Sequence, residues 1–132
     1  MKKRLDALTR FGRLQAKMHD LGRWRLSAIE REEASLACDL LTVFETLEVG
    51  DAGNGALATL GARRVRTLQK RLDSLGRESD EVRRKALAYG IRAWLAEQAA
   101  ETAGKAWREQ KERMELAELI ERAIALGDAR PR

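Results

Sequence analysis

The chain of 132 residues carries 26 Lys and Arg against 21 Asp and Glu, a net charge of +5, and 36% of its residues are charged. One Cys and one His, Cys38 and His19, exclude an internal disulfide and an imidazole or thiolate metal cage. No apolar run approaches the roughly 18 residues that span a bilayer, which excludes a transmembrane helix as well.

Charges recur directly after the basic start Met1-Lys2-Lys3-Arg4, so no secretory signal is expected, and a cytoplasmic location is. Ala, Leu, Glu, Arg and Lys dominate the composition, and Pro131 is the lone proline. Such a composition belongs to long helices or a coiled coil. The expected fold is all-α: two long unequal helices in an antiparallel coiled-coil hairpin, as a single domain over residues 1–132.

Helix one is expected over about residues 3–48. Its apolar positions form two stripes, Leu14, Met18 and Leu21, then Ile29, Leu36, Leu40, Val43 and Leu47, shifted by one residue. The two registers meet at Arg25, where a stutter or local unwinding is expected. A turn over residues 49–55 follows, because Gly50-Asp51-Ala52-Gly53-Asn54-Gly55 supplies left-handed conformations and Asn54 as a helix cap.

Helix two is expected over about residues 56–126. Its 3-4 spacing runs from Ala58 through Gly61, Val65, Leu68, Leu72, Leu75, Ser79, Val82 and Ala86. It goes on through Tyr89, Ala93, Ala96, Ala100, Ala103 and Trp107 to Gln110, Met114, Ala117, Glu121 and Ile124. A seam sustained this long argues for a coiled coil, and its Ala-rich part lets a partner backbone approach closely. Leu87, Ile91, Trp94 and Leu95 form a second stripe, expected to pack against helix one, with a docking patch as the alternative. Gly76, Gly90 and Gly104 stand fourteen residues apart, through compositional drift or as built-in flexibility. Each costs about 1 kcal/mol relative to Ala inside a helix.

The helices do not match in length. With the turn centred near residues 52–53, Leu47 faces Ala58 and Lys3 faces Thr102. Beyond that point helix two has no partner within the chain, yet it carries Trp107, Met114, Leu116, Leu119, Ile120 and Ile124. Exposed apolar residues in that number need cover, from another protein or from a second copy.

Catalytic chemistry is not expected. The glycines of residues 50–55 lack the Lys-Ser/Thr of a phosphate loop. His19 reads as a solvated or seam-flanking residue, and Cys38 as a small buried one. No cofactor and no metal site is expected. Acids and bases such as Glu101–Lys105, Glu109–Arg113 and Glu118–Arg122 stand at the favourable i,i+4 spacing. Two basic clusters remain: Arg63, Arg64, Arg66, Lys70 and Arg71, then Arg83, Arg84 and Lys85. They suit an acidic partner, either a nucleic acid or a protein surface, or else form a solvated face balanced by acids of helix one.

The segment Ala106-Trp107-Arg108-Glu109-Gln110-Lys111-Glu112-Arg113-Met114, continuing to Leu119-Ile120-Glu121-Arg122, resembles the C-terminal helix of the flagellar FliJ proteins. Chain length, two unequal helices, the central turn and the Arg-rich composition are also similar to FliJ and to its injectisome counterpart YscO. The resemblance implies a stalk or adaptor of a type III protein export apparatus, peripheral to the membrane. Such a stalk enters the export ATPase hexamer, contacts the cytosolic domain of the export gate and handles secretion chaperones. It implies that Trp107, Arg108, Lys111, Arg113, Met114, Leu116, Ile120 and Arg122 face the ATPase ring. By the same analogy Leu40, Leu68, Leu72 and Leu75 lie toward the gate. A basic coiled-coil arm for nucleic acid, and a homo-oligomeric scaffold joined through the overhang, are the alternatives.

Overall fold

The computed structural model describes residues 2–49 and 55–129. They form two α-helices and no strand: α1 (Lys2–Val49) and α2 (Gly55–Ala129), paired as an antiparallel hairpin. Val49 and Gly55, expected in the turn, are helical, and residues 50–54 with the Asn54 cap, as well as Pro131, lie outside the described residues. No proline stands inside either helix to interrupt it, and all six threonines satisfy their hydroxyls on the carbonyl four residues earlier. Contacts divide the chain into two compact units, one of residues 17–90 and one of residues 1–16 with 91–132.

In the unit of residues 17–90, the seam on α1 runs through Leu26, Ile29, Leu36, Leu40, Val43 and Leu47. It meets Gly61, Val65, Leu68, Leu72, Leu75, Ser79, Val82 and Ala86 of α2. Ile29 and Leu75 are fully buried and Leu68 nearly so, and each such side chain contributes about 1.5–3 kcal/mol. Arg25 donates from Nε to Glu78 Oε1 at 3.0 Å, and Arg71 from a terminal nitrogen to Glu32 Oε1 at 2.7 Å. Both pairs are largely solvated, so each is worth at most about 1 kcal/mol.

The expected unwinding at Arg25 does not occur, since α1 is continuous and its 3-4 spacing holds. His19 and Gly22 occupy the seam ahead of Leu26, whereas Leu14 and Leu21 point outward, each more than half exposed. Of the two stripes expected on α1, the one from Ile29 to Leu47 is the seam, whereas Leu14 and Leu21 of the first lie off it and Met18 is half-buried. Small and polar residues fill the seam here because the backbones are close. A Cβ on Gly22 would stand 2.8 Å from that of Ala86. The His19 ring lies over Gly90, and its Nδ1–H donates to the Ala86 carbonyl at 2.7 Å.

In the other unit, Leu5, Leu8, Gly12 and Gln15 of α1 share the seam with Ala93, Ala96, Ala100 and Ala103 of α2. Gly12 again admits a close approach, 3.3 Å between its would-be Cβ and Ala96. A groove of about 240 Å³ runs beside Leu8, Gly12, Ala16, Ala93 and Ala100. Among the described residues of this unit only Ala96 and Gln15 are buried, so it holds less apolar burial than residues 17–90. The buried Gln15 Oε1 accepts no hydrogen bond among the described residues. An orphaned buried acceptor costs about 1–3 kcal/mol. Gln15→Met, which keeps the shape and removes the orphan, is expected to raise stability by about 1 kcal/mol. A thermal melt should show the midpoint rising by a few degrees.

The glycines fourteen apart share no environment. Gly76 has nothing within 4 Å of a would-be Cβ, Gly90 accommodates the His19 ring, and Gly104 touches Leu5. Pairing is also displaced by almost a turn from the expected centring, because Leu47 packs on Gly61 rather than Ala58. Residues 55–60 of α2 are consequently all exposed.

Candidate functional site

From residue 108 to 128 every position of α2 is exposed, and Trp107, half-buried with Lys111 Nζ 5.3 Å from its ring centroid, is the last seam residue. Helical periodicity determines what this segment presents. Leu116, Leu119, Ile120, Ala123 and Ile124 stand at i, i+3, i+4, i+7 and i+8, the spacing of a broad apolar face rather than a narrow coiled-coil seam. The four large residues among them are each more than half exposed. Around the rest of the helix stand Glu115, Glu118, Glu121 and Asp128, with Arg122 as the lone base between residues 115 and 128. Ahead of this tip comes a basic stretch with Lys105, Arg108, Lys111 and Arg113. A face this wide is covered by a concave partner more completely than by one flat helix.

Of the residues expected to face an ATPase ring, Arg108, Lys111, Arg113, Met114, Leu116, Ile120 and Arg122 are exposed and Trp107 is half-buried. Leu116 and Ile120 belong to the apolar face; Met114 and Arg122 lie off it. Ala123 also belongs to this face, by the i, i+3, i+4, i+7 pattern from Leu116. The seam register selects Met114, Ala117, Glu121 and Ile124 instead, and beyond Trp107 it no longer marks a buried side.

Leu68 and Leu75 are buried in the hairpin, and Leu40 and Leu72 are half-buried there. Their expected place on a gate-facing surface is therefore corrected: α1–α2 packing occupies these side chains. Cys38, expected to be buried, is exposed. Leu87, Ile91, Trp94 and Leu95 do not pack on α1 either, since each is about half exposed or more. They stand off the seam, whose positions at Ala86, Tyr89, Ala93 and Ala96 are the covered ones.

Comparison with protein-family models, curated proteins and solved structures finds no match. The chain's own geometry therefore carries the functional argument.

The basic clusters divide in two. Arg71 pairs with Glu32, Arg83 lies 3.9 Å from Glu30 and 3.7 Å from Asp80, and Lys85 lies 3.1 Å from Glu81. Arg63, Arg64, Arg66, Lys70 and Arg84 are exposed and form no ion pair among the described residues. Acids of α1 balance only part of the patch. Glu101–Lys105, Glu109–Arg113 and Glu118–Arg122 also stay open; among the described residues the i,i+4 pair that closes is Glu81–Lys85. No group of three His, Cys, Asp or Glu able to hold a metal occurs among the described residues, and no helix is long and apolar enough to cross a membrane.

Proposed function

We propose that the chain is a non-enzymatic stalk or adaptor of a type III protein export apparatus, with the free end of α2 inserted into the export ATPase ring. One observation carries this reading: residues 108–128 form a continuous helix with a broad apolar face and no partner among the described residues. A helix of that kind is stabilised by packing, so it needs a host that surrounds it. A ring lumen supplies a concave wall, and the FliJ-like spacing of charges over residues 106–122 points to the same host. Contacts with the export gate and with secretion chaperones then fall to the hairpin's exposed surfaces. The hairpin transmits position, and its charges steer the encounter.

A truncation separates the two parts. The seam reaches Trp107, so a stop after Trp107 spares the hairpin, whereas a stop after Thr102 also removes Ala103, Gly104 and Trp107. The chain ending at Trp107 should keep its helical signal and cooperative melt, yet lose co-elution with the purified ATPase and stimulation of ATP hydrolysis. Undiminished binding and stimulation by the shortened chain would refute insertion of this end.

A further inference from the structure

The unpaired cations of α2 are ordered. Arg63, Lys70, Arg77 and Arg84 recur every seven residues, at one heptad position on the side of α2 away from the seam, and all four are exposed. At 1.5 Å per residue they stand about 10.5 Å apart over about 32 Å. None of them forms an ion pair among the described residues; Glu78 pairs with Arg25, Glu32 with Arg71, Asp80 with Arg83 and Glu81 with Lys85, while Asp73, within a turn of Lys70 and Arg77, pairs with neither. Asp73 is the remaining acid on this stretch of α2. Leu60 and Leu87, 62% and 63% exposed, stand beyond the two ends of the row. All of these residues lie in the unit of residues 17–90.

We propose that this ridge docks on an anionic lipid surface. The row lies along one convex helix face, so it can present all four cations at once to a flat array of headgroups. Exposed leucines at its ends add apolar contact at the acyl boundary. Residues 56–88 contain no aromatic side chain on which unpaired bases could stack. Binding of this kind is weak and reversible, and it strengthens about fivefold for each cation near the surface. It is independent of the ATPase contact, which uses the other end of α2.

The test uses the full chain and vesicles of phosphatidylcholine alone or with phosphatidylglycerol, followed by flotation. Binding should require the anionic lipid and weaken at least tenfold between low and high salt, as screening shortens the reach of charge. R63Q/K70Q/R77Q/R84Q should lower partitioning several-hundred-fold. These side chains are exposed and form no ion pair among the described residues, so the variant should keep the wild-type melt. L60S/L87S should lower partitioning by a smaller factor with the salt dependence retained. Three results would each overturn the proposal: no recovery with anionic vesicles at low salt, equal recovery with neutral vesicles, or equal recovery of the quadruple variant. Displacement of the chain from vesicles by stoichiometric duplex nucleic acid or poly-glutamate, lost in the quadruple variant, would assign the ridge to that polymer instead.

Discussion

Leu75→Ala is expected to destabilise the hairpin by about 2–5 kcal/mol, enough to remove most of the stability of a small domain. Leu75 is fully buried, and among the described residues the other large buried apolar side chains are Ile29 and Leu68. The rest of the buried apolar set is Ala86 and Ala96, which have little side chain to lose. Deleting three carbons from one of so few large residues leaves a cavity between two helices that are held at fixed spacing on both sides. Urea titration followed by circular dichroism should show the midpoint falling sharply or the cooperative transition disappearing. Leu87→Ala, on a side chain 63% exposed, is the matched control and should change stability by less than about 0.5 kcal/mol. An equally large loss in the control would mean that Leu87 is covered in solution.

Gly22→Ala and Gly76→Ala should move stability in opposite directions. On helix propensity alone both would gain up to about 1 kcal/mol. Gly76 has nothing within 4 Å of its would-be Cβ, so that gain should appear in full. At Gly22 the new methyl would stand 2.8 Å from the Ala86 Cβ, which has no torsion to rotate away. The helices must separate there, stretching the His19–Ala86 hydrogen bond, and the expected loss is about 1–3 kcal/mol. Gly61→Ala supplies an intermediate case, because the atoms it meets are the branch end of Leu47, free to change rotamer. Thermal melts of the three variants should rank Gly76→Ala above Gly61→Ala, and Gly61→Ala above Gly22→Ala. Stabilisation by Gly22→Ala would show that the backbones do not approach so closely.

These glycines mark the limit of what periodicity reveals. Two helices, their approximate bounds and the seam of α2 from Gly61 to Trp107 were legible, because apolar and Ala positions there repeat without a break and no proline intervenes. The seam of α1 was legible from Ile29 to Leu47 but not ahead of Leu26. Hydrophobicity selects Leu14 and Leu21, while the covered positions are Gly12, Gln15, His19 and Gly22. A glycine contributes nothing to an apolar pattern, and its value here lies in the atom it lacks, which becomes visible only when Ala86 or Ala96 is placed opposite.

The free end of α2 shows the same division. Unequal helix lengths and an amphipathic repeat are properties of the chain, so the existence of an unpartnered end could be read directly. Its width and direction could not, because the register inherited from the paired region stops applying once there is no partner to define it. Composition, helix number, antiparallel pairing and a surplus of α2 were therefore determined by sequence alone. The tertiary structure decided which side of α1 is covered, which glycines are spacers and which arginines keep a carboxylate partner. Local periodicity reports what each helix can bury; only the separation and register of two backbones determine what it does bury.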